Sequence, residues 1–495
     1  MNLLTLLDMT VAGHGDRIML GTIETGLTPE QLQSRARTGA HRLRESGART
    51  LVYLGENGLA FPVALFAAAS AGIPFLPLNY RLSREQLLDV VAGQDHPFVI
   101  SADPSIATGD GLVGSVSVDE WLALTAAPEP TDFVPADADP DDEAVLLLTS
   151  GTTAAPKSAI LRHRHLASYV LGSVEFSSAD AGDAVIVSVP PYHIAAVANL
   201  LSNLYSGRRI VYLDRFTPDA WLRTVTEEGI TNAMVVPTML SRIVDELEAG
   251  NPAVPTTLRS LSYGGAPLAP SILQRALALL PNVGFVNAYG LTETSSSIAV
   301  LGPEDHRTAA ASEDPAVRAR LGSVGQPLPS VEIQILDASG APAAVGEVGA
   351  IYVRGPQVAG EYRQGGSRVD PDGWFPTRDE GYLDAGGFLF VRGRADDTII
   401  RGGENIAPAE IEDAIHQLPG VAEAVVVGIP DEEWGQRIAA FVIRRPGADL
   451  SEDGVREFVR GLLRSSKTPD VVTFVDELPR TPTGKIIRRE LVARL

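Results

Sequence analysis

From about residue 50 to 300 the chain repeats one pattern, a short apolar run followed by a longer Ala/Leu/Arg-rich stretch of helical character. The apolar runs fall at 51–54, 144–148, 184–187, 210–213 and 233–236. Strands separated by helices pair through crossovers, so the pattern predicts an α/β fold of parallel sheets covered by helices. From about 320 to 392 the period changes to two, as in Val331-Glu-Ile-Gln-Ile, and glycine-rich turns appear, which predicts antiparallel strands. After Gly393 and Arg394 the pattern resets: a helix at 408–417, strands at 424–427 and 439–443, a helix at 454–463 and a strand near Val472. These divide the chain into a large domain, 1–394, and a small α+β domain, 395–495. The acidic, Pro/Ala-rich stretch 126–142 reads as a solvated connection.

Charge and composition exclude several classes. A formal charge of -22 gives a field that repels polyanions, so nucleic acid and anionic membrane surfaces are not expected partners. A phosphate ligand must then meet local cations or backbone N–H groups. The absence of cysteine removes disulfides, thiolate metal sites and an enzyme-bound thioester, and it suits a cytoplasmic protein. The N-terminus lacks the basic start and apolar run of a secretion signal. Residues 61–78 carry no charge, yet Pro62, Gly72, Pro74 and Pro77 interrupt them, which predicts a buried helix feeding a buried strand instead of a membrane span. Only three of the 40 basic residues are lysine, Lys157, Lys467 and Lys485, and two of these stand in the most unusual loops of the chain. A compact ammonium suits an oxygen that must be met end-on.

The first such loop runs Thr149, Ser150, Gly151, Thr152, Thr153, Ala154, Ala155, Pro156, Lys157, Ser158 and follows directly on an apolar strand. Hydroxyls, glycine and a lysine there can surround phosphate oxygens. Gly151 and Lys157-Ser158 match the ends of a Walker A loop, but Pro156 stands where that loop needs an N–H, and proline has none. Taken alone the loop is also compatible with a Ser/Thr-rich turn that binds nothing.

Four more segments follow in order: Ser262-Tyr-Gly-Gly-Ala-Pro-Leu268; Asn287-Ala-Tyr-Gly-Leu-Thr-Glu293; Gly373-Trp-Phe-Pro-Thr-Arg-Asp379 with Gly393-Arg-Ala-Asp-Asp397; and Arg480-Thr-Pro-Thr-Gly-Lys485. With the 149–158 loop they resemble the signatures of the adenylate-forming superfamily, which includes acyl-CoA synthetases, non-ribosomal adenylation domains and firefly luciferase. The resemblance runs from about residue 50 to the end. It implies a distorted antiparallel β-barrel beside the parallel sheets and a mobile C-terminal lid. It also implies ATP and Mg²⁺ as cofactors, with coenzyme A as co-substrate.

On this resemblance Thr149, Ser150, Gly151, Thr152, Thr153 and Lys157 hold phosphate. Tyr289 offers a ring to adenine, and Gly264, Gly265 and Ala266 let backbone approach the purine. Asp379 and Arg394 reach the ribose. Glu293 is the metal ligand and, with Thr292 and Lys485, belongs to the catalytic set; Mg²⁺ takes one or two carboxylates plus phosphate oxygens. Lys485 bridges the substrate carboxylate and the α-phosphate, Asp396 is the hinge, and Gly402 and Gly403 line a tunnel for pantetheine. His193, Ala195 and Gly264 belong to the acid pocket, and Ala195 with Ala196 suggests room for an aromatic or medium-length apolar acid. Without the resemblance, Tyr289 reads as a core aromatic, Glu293 as an exposed acid at a helix start, Asp379 and Arg394 as a surface ion pair, and Lys485 as part of a solvated basic tail.

Three positions depart from the family pattern: Ala154 and Ser158 replace glycines in the loop, and Arg378 replaces the glycine before Asp379. None removes a charged group the chemistry needs. The expected activity is that of an acid–CoA ligase: a carboxylate attacks the α-phosphorus of ATP, releasing pyrophosphate, and the acyl group passes to coenzyme A. Coenzyme A is the simplest acceptor because no carrier domain follows Lys485; a discrete carrier protein, an amine, an atypical acid such as nitrite, and a homodimer stay open. Two competing classes are a nucleotide-binding protein without catalysis, which has no need of Glu293 or Lys485, and a P-loop ATPase, against which Pro156 speaks.

Overall fold

The computed structural model describes residues 1–107, 111–149, 157–250, 254–394, 397–401, 404–431, 434–463, 465–480 and 486–495. Two largely parallel sheets dominate the large domain. The first runs in the order 366–367, 361–362, 157–162, 143–149, 75–77, 50–54, 97–101, 114–116, and the second 326–327, 296–301, 284–291, 260–264, 232–235, 184–187, 209–212. The strands 50–54, 75–77, 97–101 and 114–116 pair in parallel, as do 184–187, 209–212, 232–235, 260–264 and 284–291.

The apolar runs are unbroken because each strand faces a core on both sides. Leu51 and Tyr53 point into the same cluster as Val185 and Val187, between the two sheets, while Val52 and Leu54 point outward with Leu87 of the helix Arg84–Ala92. Ile186, Ala233 and Leu261 pack the outer face of the second sheet against the helices Pro218–Glu227, Pro237–Glu248 and Pro270–Leu279. The inner layer is filled by helices, of which Ala60–Ala71 is the most enclosed, with Val63, Leu65 and Phe66 at most 1% exposed. Each such side chain contributes about 1.5–3 kcal/mol on burial. This helix stops at Gly72, whose φ of 77° closes its C-terminus, and the chain enters the buried strand Phe75–Pro77. The helix–strand reading of 61–78 therefore holds, and no helix among the described residues is long and apolar enough to cross a membrane.

Between them and the C-terminal unit lies a four-stranded antiparallel sheet, Glu332–Leu336, Gly349–Arg354, Phe375–Leu383 and Leu389–Arg394, where period two was expected. The C-terminal unit is a hairpin, Val421–Asp431 with Gly435–Arg444, joined in parallel by Val471–Phe474. Its alternate residues serve two cores. Val426, Ile438 and Ala440 meet Ile411, Ile415, Val455 and Val459 of two helices, whereas Val425, Val427 and Phe441 meet Leu478 and Leu491.

Candidate functional site

The C-terminal ends of parallel strands leave backbone donors and loops free, and here two of them carry Gly264, Gly265, Ala266, Tyr289 and Glu293. Strands Ser260–Gly264 and Gly284–Leu291 lie side by side with Gly264 opposite Ala288. A Cβ on Gly264 would sit 2.2 Å from the Ala288 carbonyl oxygen, so only glycine permits this approach. Gly265, at φ 82°, then turns the chain; a Cβ there would meet nothing within 4 Å, and Gly265 and Ala266 are exposed. Open space thus lies beyond the strand end.

Tyr289, half-buried on the neighbouring strand, donates its hydroxyl to Oδ2 of Asp379 at 2.5 Å. Asp379 is 5% exposed and stands opposite Arg394 in the antiparallel sheet. Arg394 Nε meets Oδ1 at 2.9 Å and its Nη1 donates to the Thr377 carbonyl, while the Asp379 N–H donates to the Thr377 hydroxyl. Burial, and then the Asp379 charge, push the Tyr289 phenol far up, so it remains a donor. Arg378, the departure from glycine, is exposed with φ 65°.

Four residues after Tyr289, Thr292–Thr294 form a single 3-10 turn that carries Glu293, followed by Ser295 and Ser296 at φ 56° and 115°. Residues 357–362 clasp this turn. The buried Gln357 amide donates to the carbonyls of Thr294 and Ser297, the Ala359 N–H donates to the Glu293 carbonyl, and the Tyr362 hydroxyl donates to Glu293 Oε1 at 2.6 Å. Tyr362 itself pairs with Ala159 on the strand Lys157–Arg162, two residues beyond Lys157. That strand pairs antiparallel with 143–149, where Thr149 is opposite Lys157 and its hydroxyl donates to the Lys157 carbonyl at 3.3 Å. Ser158, the second departure, is buried and donates its N–H to Gln364.

The structure therefore brings Tyr289, Asp379 and Arg394 into one hydrogen-bonded group and ties Glu293 to the strand that begins at Lys157. His193 stands elsewhere in the sheet edge: it precedes the helix Ile194–Ser206, its ring 4.8 Å from that of Tyr192, with Ala195 half-buried and Ala196 buried behind it. Ser150, Gly151, Thr152, Thr153, Ala154, Asp396, Gly402, Gly403 and Lys485 lie outside the described residues. Tyr362 and Gln357 were missed in the sequence, because each acts on a residue more than 60 positions away and nothing in local composition marks them. Thr377 stands inside the 373–379 segment, but its role, accepting the Asp379 N–H and receiving Arg394 on its carbonyl, was not read from it.

The donor set fits a hard cation that brings its own phosphate ligands. Glu293 supplies one carboxylate, and no group of three or more His, Cys, Asp or Glu side chains able to hold a metal occurs among the described residues. A complete all-protein cage would suit a different ion; the Glu293 carboxylate, tied through Tyr362 to the strand that begins at Lys157, would suit Mg²⁺ that brings phosphate ligands of its own. The buried Asp379 carboxylate, held in place by Tyr289 and Arg394, fits a pair of sugar hydroxyls.

The family model of the AMP-binding enzyme matches residues 7–363, and that of the AMP-binding enzyme C-terminal domain matches residues 410–485. A fatty acid–[acyl-carrier-protein] ligase from Streptomyces coeruleorubidus is 33% identical over 484 residues, 94% of this chain and 91% of the relative. A feruloyl-CoA synthase from an Amycolatopsis species is 33% identical over 485 residues, 95% of this chain and 94% of the relative. The solved o-succinylbenzoate CoA synthetase from Bacillus subtilis, in complex with its acyl-adenylate intermediate, superposes with a TM-score of 0.85 at 28% identity, covering 98% of this chain and 97% of that one.

Proposed function

Because the chain belongs to the AMP-binding enzyme family, we propose that it is an ATP-dependent acid–CoA ligase, which adenylates an aromatic or medium-length apolar carboxylic acid and passes the acyl group to coenzyme A. The observation that carries this reading is the buried Asp379 carboxylate, held by Arg394 and by Tyr289, whose strand leads into the turn that carries Glu293.

In the first step Asp379 accepts the two ribose hydroxyls of ATP, with Arg394 beside it. Tyr289 lends its ring face to adenine, and the strand end at Gly264, Gly265 and Ala266 lets the purine lie against backbone. Thr149 and Lys157 flank the triphosphate, with Ser150, Gly151, Thr152 and Thr153 completing the loop. Glu293, beside Thr292, holds the Mg²⁺ that accompanies ATP; when bound, that ion neutralises charge on the phosphates and orients them. The acid lies against His193, Ala195 and Gly264, and one of its oxygens attacks the α-phosphorus. The bond to the bridging oxygen of pyrophosphate breaks, and Lys485 offsets the negative charge that gathers in the pentavalent state. In the second step the coenzyme A thiolate attacks the acyl carbonyl and AMP leaves.

The domain division belongs to this proposal. Residues 395–495 form a lid that rotates about Asp396, presenting Lys485 for adenylation and then Gly402 and Gly403 for thioester formation. A cytoplasmic location suits a chain without cysteine. One specific observation favours a second acceptor: the Streptomyces relative, equally similar at 33%, is named for an acyl carrier protein.

The test is pyrophosphate release with MgATP across fatty, aryl and cinnamic-type acids and nitrite, each with no acceptor, with coenzyme A and with a phosphopantetheinylated carrier protein. Acid-dependent release with a thioester formed only on coenzyme A supports the ligase. A thioester formed only on the carrier protein moves the acceptor. Absence of release with every acid removes the proposed activity.

A further inference from the structure

We propose that Tyr362 is a positioning residue for Glu293, holding one carboxylate oxygen so that the group binds its cation through the other, and thereby selecting Mg²⁺ over Ca²⁺. The inference rests on the reading of Glu293 as the metal ligand.

The carboxylate has little local support. It rides on one 3-10 turn, not on a helix, and the two residues after that turn hold φ values of 56° and 115°, a conformation that serines adopt only when the surroundings impose it. What imposes it is the 357–362 segment, through Gln357 below the turn, the Ala359 and Gly360 N–H groups on the Glu293 carbonyl, and the Tyr362 hydroxyl on Oε1. Of these, only the Tyr362 bond acts on the Glu293 side chain.

Tyr362 is in turn fixed from three sides. Its backbone pairs with Ala159, its ring lies under the Arg368 guanidinium at 5.3 Å from the ring centre, and the preceding Glu361 makes a two-pronged pair with Arg162 at 2.9 Å on each prong. A carboxylate with Oε1 committed to a phenol favours one-oxygen coordination. Mg²⁺ demands a near-octahedral shell in which a carboxylate occupies one vertex, while the larger Ca²⁺ accepts two oxygens of the same carboxylate and a looser shell. The bond therefore discriminates between ions as well as orienting the ligand. Because Tyr362 pairs on the strand that starts at Lys157, it also fixes the distance between metal ligand and phosphate loop.

The experiment compares Tyr362→Phe, Glu293→Gln and the double variant with the parent protein. Binding of a non-hydrolysable ATP analogue is measured by calorimetry against Mg²⁺ and Ca²⁺, and Mn²⁺ occupancy is followed by electron paramagnetic resonance. Loss of an outer-shell partner should weaken metal affinity by about 10-fold, narrow the Mg²⁺/Ca²⁺ ratio and leave metal-free AMP binding unchanged. The last result also shows that the variant folds. In the Glu293→Gln background, Tyr362→Phe should add nothing. Metal-dependent binding that is lost in Glu293→Gln but unaltered in Tyr362→Phe overturns the positioning role alone. Metal dependence unaltered in Glu293→Gln overturns the metal-ligand reading and this inference with it.

Discussion

Tyr289 and Asp379, 90 residues apart, meet through a 2.5 Å hydrogen bond, and Arg394 takes the other oxygen of the same carboxylate at 2.9 Å. The carboxylate is buried and held by both partners, so its orientation is fixed in advance of any ligand. If it is the ribose acceptor proposed above, a clear effect on nucleotide binding follows. Replacing Asp379 with Ala should weaken ATP and AMP alike by roughly 10- to 100-fold, the range for hydrogen bonds to a charged group. Equilibrium dialysis with both nucleotides measures this, and unchanged affinity for both contradicts the ribose assignment. Tyr289→Phe, which keeps the ring but frees Oδ2, should cost less than Asp379→Ala.

Gly264 has no tolerance for a side chain. A methyl group there would sit 2.2 Å from the Ala288 carbonyl oxygen, a backbone atom held by the strand pairing. Gly264→Ala should destabilise the fold by about 1–3 kcal/mol in urea unfolding, the usual cost of overpacking, and should weaken nucleotide binding with it. Unchanged stability would show that the strands part easily.

Arg378 sits at φ 65°, where a residue with a Cβ is strained by about 1–2 kcal/mol. Arg378→Gly relieves that strain, partly offset by the greater freedom of glycine in the unfolded chain, so a net gain of about 0.5–1 kcal/mol is expected. Arg378→Ala keeps the Cβ and should not gain. Equal effects of the two would remove the conformational explanation.

His163 and His165 are nearly inaccessible at 2% and 1% exposure, and burial lowers them to about 4 and about 3. His163 Nδ1 accepts the Leu3 N–H and His165 Nδ1 accepts the Arg162 N–H, so both fold in the neutral form. A folded value below the unfolded 6.5 means that the unfolded chain binds protons first. Their contribution is therefore complete above about pH 6.5 and is lost as pH falls from there toward 4. His163→Gln should flatten the fall of the urea midpoint between pH 6.5 and 4; an unaltered slope places the acid sensitivity elsewhere.

The sequence was most legible where burial on both faces leaves unbroken apolar runs. Leu51 to Leu54 and Ala184 to Val187 announced their strands, because every residue in them meets a core. Strand ends were less legible: the strands expected at 424–427 and 439–443 extend to Asp431 and back from Gly435, where the buried Ile429 and Ile438 stand among Gly428, Pro430, Gln436 and Arg437 and leave no continuous apolar run. The motifs named Tyr289, Asp379 and Arg394 separately, but nothing local tells that Tyr289 binds Asp379. Tyr362 was invisible for the same reason. Its partner Glu293 lies 69 residues earlier, and its strand has two residues, too short for any periodicity.

The proposed activity requires formation of an acyl-adenylate, and exchange of radiolabelled pyrophosphate into ATP measures that step without the acceptor. The parent protein should exchange label only when its acid is present, and Lys485→Ala should abolish exchange while still forming thioester from supplied acyl-adenylate. Exchange that needs no acid, or turnover that yields ADP and phosphate in place of AMP and pyrophosphate, would contradict it.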